Sequence, residues 1–305
     1  MEDFAVLFPG QGSQKPGMGK EFYDSFDEVK EIFRSADKLL TDCSVTSLCF
    51  EADEEELRKT ENTQPALFTV CYAIYRVLEG MGFGGTTFAG HSLGEYTAVA
   101  AAGFLEFEDT LRIVRQRGIL MKNCDPHQRG GMAAVIGLDA GSVERVCEDV
   151  GEVYPANFNS PDQIVISGFK EKVQVAAERL KAMGARKVII LNVGGPFHSP
   201  LMKEAQAELS KELERVNWKW SGRCIISNVN AKPARSPGEI KENLLKQLSS
   251  PVLWCESLNT LMGIGYRRFM ESGPGTVLKG LLRSLTKEVE VFSVGRPDDI
   301  DVLRS

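Results

Sequence analysis

The chain has 305 residues, 43% of them hydrophobic, and a formal net charge of -6 at pH 7. This length supports a large core in one or two domains, and the acidic balance argues against nucleic-acid binding, which needs a basic face. No apolar run is long enough to cross a bilayer, and Met1-Glu2-Asp3-Phe4 is acidic where a signal peptide is basic, so we expect a soluble cytoplasmic protein.

The first predicted element is a buried strand. Phe4 to Phe8 is a continuous apolar run that Pro9-Gly10 ends, which is typical of a central strand in a parallel sheet. The loop from Gly10 to Gln14 is not a dinucleotide fingerprint, because Lys15 stands where a glycine is required. It offers backbone N–H groups at the carboxyl end of a strand, where open α/β sheets bind ligands. Gln11 is therefore a candidate oxyanion donor, with an ordinary glycine turn as the alternative.

Two helices are predicted after this loop, at residues 22–40 and 66–78. The second is apolar almost all round, so we expect it to lie buried against the sheet. The segment 62–65, Asn-Thr-Gln-Pro, combines a capping residue with a proline suited to a first helical turn, which predicts a start at Ala66.

The segment Gly90-His91-Ser92-Leu93-Gly94 has the spacing G-x-S-x-G. Residues 86–89 indicate a strand and residues 95–102 a helix, so Ser92 lies on a strand-to-helix turn that presents its hydroxyl as a nucleophile. The N–H of Leu93 then lies at a helix start, where it has no intrahelical acceptor and suits an oxyanion. The alternative is a serine that only caps the helix.

The helix predicted at 107–122 carries a charged residue, Arg117, within its apolar stripe. The stripe consists of Ile113, Val114, Leu120 and Met121. A buried guanidinium needs an anion, which is either a structural carboxylate or the carboxylate of a substrate.

From residue 126 to 195 the predicted order changes to strand-helix-strand-strand-helix-strand, the pattern of a ferredoxin-like unit. We therefore predict a core of residues 1–125 and 196–305 with an inserted small subdomain of residues 126–195. Within the subdomain, 157–161 is predicted as a turn that faces the core, with asparagines that only satisfy their own backbone as the alternative. After it, strands and helices continue to alternate, which indicates an α/β core.

Three histidines are candidates for a base. His91 neighbours Ser92, and adjacent side chains at a turn point apart, whereas His127 lies in a polar loop. His198 follows a predicted buried strand in a glycine-rich turn and is the best-placed base, with a purely structural histidine as the alternative. No aspartate stands out after it, so a backbone carbonyl or an amide such as Gln247 is expected to orient the ring.

Four motifs follow one another along the chain: Gly10-Gln11-Gly12-Ser13-Gln14, Gly90-His91-Ser92-Leu93-Gly94-Glu95-Tyr96, Gln116-Arg117-Gly118 and Gly195-Pro196-Phe197-His198-Ser199. In this order, and over nearly the whole chain, they resemble the malonyl-CoA:acyl-carrier-protein transacylases of fatty-acid synthesis. The resemblance implies an α/β-hydrolase-like core with a mainly parallel sheet and an inserted ferredoxin-like α+β subdomain.

The resemblance also implies roles for single residues. It assigns Ser92 as the nucleophile, His198 as the base and Arg117 as the clamp on the malonyl carboxylate. The N–H groups of Gln11 and Leu93 become the oxyanion donors.

Two further residues receive a role from the same resemblance. Gln247 orients His198 through its carbonyl. Phe197 is typical of the form that binds malonyl rather than methylmalonyl groups.

The implied reaction is a double displacement, in which malonyl-CoA acylates the serine and the phosphopantetheine thiol of acyl carrier protein then takes the malonyl group. We expect no permanently bound cofactor, no metal, no membrane contact and a monomer. The seven cysteines contain no C-x-x-C pair and indicate neither a disulfide scaffold nor zinc.

An acidic carrier protein needs a basic surface, for which Arg186 with Lys187, or Arg129, are candidates. A serine hydrolase, an inactive binding module and an acyltransferase for another acyl group are the alternatives.

Overall fold

Two β-sheets organise the chain in the computed structural model, which describes residues 2–125, 127 and 129–304. Residue 126, the predicted first residue of the small subdomain, lies outside the described residues, as do 1, 128 and 305. The strands are β1 (Glu2–Phe8), β2 (Phe83–Gly90), β3 (Gly130–Ile136), β4 (Val153–Ser160), β5 (Gln163–Phe169), β6 (Lys187–Leu191), β7 (Cys224–Ile226), β8 (Pro233–Ala234), β9 (Arg268–Ser272) and β10 (Glu290–Val294).

Helices connect these strands. The α-helices within the described residues are α1 (Lys20–Ser25), α2 (Asp27–Leu39), α3 (Val45–Phe50), α4 (Glu54–Arg58), α5 (Thr60–Gly80), α6 (Leu93–Ala101), α7 (Phe107–Asn123), α8 (Ala140–Val150), α9 (Lys170–Ala182), α10 (Lys203–Arg215), α11 (Pro237–Gln247), α12 (Trp254–Gly263) and α13 (Val277–Leu285). Two 3-10 helices span Pro200–Met202 and Pro297–Arg304. Among the described helices, none combines the length and the apolarity needed to cross a membrane.

The larger sheet has the strand order β10-β9-β1-β2-β7-β8, and all its strands except β8 run parallel. Strand β1 lies between β9 and β2, and its residues Phe4 to Phe8 are fully buried, as its continuous apolar run predicts. Phe8 pairs with Gly90 at the carboxyl ends of β1 and β2. The loop that holds Gln11 therefore starts beside the turn that holds Ser92.

The smaller sheet is antiparallel and has the order β4-β5-β3-β6. Helices α8 and α9 connect its strands in the predicted order and bury its apolar residues in a separate core that includes Ala133, Val143 and Ile166. The predicted mixed α/β fold, with a mainly parallel sheet and a ferredoxin-like unit, is confirmed. The domain boundaries at 125/126 and 195/196 stay a prediction.

Strand β4 joins the smaller sheet to the core. The N–H of Phe158 donates to the Val252 carbonyl at 2.9 Å, and the N–H of Val252 donates to the Ala156 carbonyl at 2.9 Å. The prediction of a turn at 157–161 is wrong up to Ser160, because pairing with Val252 and with β5 keeps this segment extended. The segment does contact the core, as predicted.

Helix α5 begins at Thr60, so the predicted start at Ala66 is wrong. Pro65 lies inside the helix and has no N–H for the carbonyl of Glu61, four residues earlier. Arg115 on α7 compensates, since its Nη1 donates to that carbonyl at 2.5 Å. The additional turn brings Gln64 into the core of the molecule.

Two glycines allow α6 to pack against the larger sheet. A Cβ atom at Gly90 would lie 1.9 Å from the carbonyl carbon of Gly94, and a Cβ atom at Gly94 would lie 2.1 Å from the carbonyl oxygen of Phe8. Both contacts are with backbone atoms, so no side-chain rotation relieves them. The sharp turn at Ser92 therefore requires glycine on both sides.

We expect Gly94→Ala to lower the free energy of unfolding by about 2 kcal/mol or more, because its methyl group overlaps the Phe8 carbonyl. The matched control is Gly280→Ala in α13, where no atom lies within 4 Å of the added Cβ. This control should be neutral or stabilising by up to about 1 kcal/mol through helix propensity. Denaturant unfolding of both variants measures the difference, and equal stabilities would contradict the packing argument.

Candidate active site

Ser92 lies in a strained backbone conformation between β2 and α6. Its φ is 52° and its ψ is -104°, outside the usual regions for a residue with a side chain. Asn228 supports the turn, since its Oδ1 accepts from the Ser92 N–H and its Nδ2 donates to the Gly90 carbonyl, both at 2.8 Å. The Ser92 side chain accepts no hydrogen bond from α6, so the capping alternative is wrong.

His198 is the partner of the Ser92 hydroxyl, with its Nε2 2.6 Å from Oγ. Its Nδ1 lies 3.1 Å from the backbone carbonyl of Gln247. A carbonyl only accepts, so Nδ1 carries the proton and Nε2 is free to accept the serine proton. Burial, and secondly the charge of Arg117, lower the pKa of His198 to about 3. The ring is therefore neutral at neutral pH.

The other two histidines do not contact the serine hydroxyl. His91 places its Nε2 2.8 Å from Oδ1 of Asn159 on β4, and its ring packs edge-on against Trp254. His127 is exposed. Of the three histidines, His198 is the one in position to act as a base for Ser92.

Arg117 is buried beside Ser92, with 1% of its surface exposed. Its Nη1 donates to Oε1 of Gln64 at 2.8 Å, and its Nη2 lies 3.1 Å from Ser92 Oγ and 3.2 Å from Oε1 of Gln247. The guanidinium also faces the ring of Tyr96 at 5.3 Å. Among the described residues Arg117 forms no salt bridge. The alternative that it pairs with a structural carboxylate is therefore not supported by these residues.

The two predicted oxyanion donors lie at the start of α6 and after β1. Leu93 is the first residue of α6, where a backbone N–H has no intrahelical acceptor. Gln11 follows β1 and lines the cleft above Ser92, and its side-chain Oε1 accepts from the Thr60 hydroxyl at 2.8 Å.

A small cleft between the two sheets contains the reactive groups. It is lined by Gln11, His91, Ser92, Arg117, Met121, Met132, Asn157, Leu191, Val193, Phe197 and His198. Most of the other lining side chains are apolar, and a low-dielectric surrounding strengthens the attraction of Arg117 for an anion. Phe197 is 5% exposed and belongs to this apolar wall.

A longer groove opens from this cleft toward the surface. The groove and the cleft share Gln11, His91, Asn157, Leu191 and Val193, and the groove extends past the N-terminal end of α13. A ligand with a small acidic end and a long arm fits this arrangement, because the arm occupies the groove while the acidic end reaches Arg117.

Several polar residues around the cleft are not evident from the sequence. Glu95 is 1% exposed, and burial raises its pKa to about 7. Its Oε2 accepts from Nε2 of Gln247 at 2.6 Å, and its Oε1 accepts from the Asn228 N–H at 3.2 Å. The sequence signal for Glu95 is a charged residue within the apolar run of α6, the same kind of signal that identifies Arg117. Gln64 gave a weaker signal, because its helix was predicted to start two residues later.

Comparison with known proteins agrees with this geometry. The profile of the family described as acyl transferase domain matches residues 6–296. The malonyl CoA-acyl carrier protein transacylase of Bacillus subtilis (strain 168) is 43% identical over 306 residues, which cover 99% of this chain and 96% of that protein.

Solved structures of related proteins have the same fold. An acyl carrier protein S-malonyltransferase from Vibrio cholerae O1 biovar eltor superposes with a TM-score of 0.95 at 37% identity, covering 99% of this chain and 100% of that one. A malonyl-transacylase in complex with a type II PKS acyl-carrier protein also gives a TM-score of 0.95 at 37% identity, covering 99% of this chain and 98% of that one.

The resemblance inferred from four short motifs is thus confirmed over almost the full length of the sequence and of the fold. The chain belongs to the acyl transferase domain family, in the group of the malonyl CoA-acyl carrier protein transacylases.

Proposed function

We propose that this chain transfers a malonyl group from malonyl-CoA to the phosphopantetheine thiol of acyl carrier protein, through a malonyl ester of Ser92, for fatty-acid synthesis. The observation that carries the proposal is the position of Arg117, a buried cation without a described carboxylate partner, 3.1 Å from the serine hydroxyl. The names of the relatives, which specify malonyl CoA and acyl carrier protein, support the same substrates.

In the first half-reaction, Ser92 Oγ attacks the thioester carbonyl while Nε2 of His198 takes its proton. The carbonyl of Gln247 holds Nδ1–H and stabilises the imidazolium that forms. The N–H groups of Gln11 and Leu93 receive the oxyanion. When the tetrahedral intermediate collapses, the C–S bond breaks and the imidazolium returns the proton to the departing CoA sulfur.

The second half-reaction repeats these steps with another sulfur. His198 takes the proton of the phosphopantetheine thiol, the sulfur attacks the malonyl ester, and Ser92 Oγ leaves with the proton. The scheme requires no permanently bound cofactor in either half. The groove that leads from the cleft to the surface accommodates the arm of CoA or of the carrier protein in turn.

Arg117 has two effects in this scheme. Its two terminal nitrogens bind the malonyl carboxylate and so place the thioester carbonyl against Ser92. The bound carboxylate also offsets the positive charge that lowers the pKa of His198, so the substrate makes the base stronger when it arrives. Phe197 forms part of the apolar wall of the cleft, and its proposed role is to select malonyl over methylmalonyl groups.

The carrier protein docks where a basic surface borders the groove. Arg186 already pairs with Asp162 at 3.3 Å, whereas Arg129 packs over the ring of Phe169 and has no described ion pair. These contacts favour Arg129 over Arg186 with Lys187 as the contact for an acidic partner. The monomeric state and the cytoplasmic location stay predictions.

Brief exposure of the chain to malonyl-CoA should add one malonyl group, seen by intact-protein mass spectrometry. Ser92→Ala should add none, and Ser257→Ala, which removes another buried hydroxyl, should load like the parent chain. Holo acyl carrier protein should then remove the group as its own thioester. Absence of the adduct would refute the proposal, and release of free malonate without any thiol would indicate a hydrolase.

Arg117→Ala should lower kcat/KM for malonyl loading by about a hundredfold, because a hydrogen-bonded buried ion pair is lost. Loading of an acetyl group, which has no carboxylate, should fall much less. Arg112→Ala is the control on the same helix, since Arg112 is exposed and pairs with Asp109 rather than facing the cleft. An unchanged ratio of malonyl to acetyl loading in Arg117→Ala would rule out the clamp.

The acid limb of the pH profile for acetyl loading should move to higher pH in Arg117→Ala. His198 must be neutral to act as a base, and the charge of Arg117 lowers its pKa, so removal of that charge raises the pKa and requires a higher pH for activity. Rates of acetyl loading across the acid range, for both proteins, measure the shift. A shift toward lower pH would show that Arg117 does not act on His198 in this way.

A further inference from the structure

Glu95 lies beneath the cleft and does not line it. Its carboxylate nevertheless accepts hydrogen bonds from Gln247, which contacts Arg117, and from Asn228, which supports the turn at Ser92. One oxygen accepts from Nε2 of Gln247 at 2.6 Å, and the other accepts from the N–H of Asn228 at 3.2 Å. Asn228 holds the turn at Ser92 through its side chain. The mechanism derived above makes no use of this buried carboxylate.

The side-chain amide of Gln247 has a distinct partner for each of its groups. Its Nε2 donates to Glu95 and to the Ser92 carbonyl, the latter at 2.9 Å, and its Oε1 accepts from Nη2 of Arg117 at 3.2 Å. In its ionised form Glu95 accepts hydrogen bonds and donates none, so the carboxylate admits only the NH2 group of the amide on its side. The amide oxygen must then face Arg117.

We propose that Glu95 is a positioning residue for the malonyl clamp: by fixing the amide of Gln247, it holds Arg117 in place to receive the substrate carboxylate. This inference rests on the proposed function. Without the carboxylate, the amide is free to turn its NH2 group toward Arg117, where two donors face each other and the guanidinium loses an acceptor.

The charges of Glu95 and Arg117 are consistent with a positioning role for Glu95. Gln247, Glu95 and Arg117 are all buried, and the described residues give Arg117 no direct salt bridge. Glu95 is the carboxylate nearest to it through a hydrogen-bonded chain, with one amide between the two charges. Burial raises the pKa of Glu95 to about 7, and its hydrogen-bond donors and the charge of Arg117 act against that shift by favouring the carboxylate; by the same interaction the carboxylate favours the charged guanidinium.

Glu95→Gln in the full-length chain tests the proposal with malonyl-CoA and acetyl-CoA as the two probes. The ratio of kcat/KM for malonyl to that for acetyl loading should fall about tenfold, the scale of a lost hydrogen bond to a charged group. The loss should appear mainly as a higher KM for malonyl-CoA, because the carboxylate is bound equally before and during the reaction.

A double-mutant cycle and a control separate positioning from damage to the fold. In an Arg117→Ala background, Glu95→Gln should change the ratio by no more than about twofold, since its effect passes through the guanidinium. Glu271→Gln removes another buried carboxylate, which caps the start of α13, and should leave the ratio unchanged. Equal slowing of both substrates by Glu95→Gln, or the same loss of ratio with and without Arg117, would overturn the proposal.

Failure of this inference differs from failure of the proposed function. If Arg117→Ala lowers the malonyl-to-acetyl ratio and Glu95→Gln does not, the proposed clamp is supported and the proposed role of Glu95 is refuted. If Arg117→Ala has no effect on this ratio, both proposals are refuted. Should Glu95→Gln not fold, Gln247→Leu replaces it, because this change removes the amide and keeps the backbone carbonyl that holds His198. A parent-like ratio in Gln247→Leu would also overturn the proposal.

Discussion

A buried positive charge held by neutral oxygens is the interaction on which the site depends. Arg117 costs free energy to bury, and amide oxygens of Gln64 and Gln247 offset only part of that cost. A direct carboxylate partner from the protein would stabilise the empty enzyme and compete with the substrate. The fold instead keeps Glu95 one amide away, close enough to stabilise the cation and too far to occupy its outer face.

In the proposed mechanism, the same cation links substrate binding to the chemistry. With the cleft empty, Arg117 and burial both disfavour the charged form of His198, so the base is weak. An acyl group with a carboxylate restores charge balance next to the ring, and an acyl group without one leaves the imidazole as it was. Selectivity therefore has two sources, the affinity for the carboxylate and the basicity of His198 once it is bound.

The sequence predicted the larger elements well because their signals are local. The apolar run of β1, the glycines around Ser92 and the lone cation on α7 each stand out within a few residues. The start of α5 is not predictable from the local sequence, because Arg115, about fifty residues away, donates to the Glu61 carbonyl in place of the N–H that Pro65 lacks. Contacts such as those of Asn228 with Ser92 join residues more than a hundred positions apart, and no local sequence pattern predicts them.

The pairing of β4 with Val252 couples the small sheet to the base. Val252 stands five residues after Gln247, whose backbone carbonyl sets the tautomer of His198. The hydrogen bond between His91 and Asn159 is a second contact of β4 with the core, on the side of Ser92. The small sheet, which forms one wall of the cleft, is thus anchored beside both the serine turn and the carbonyl that orients the imidazole.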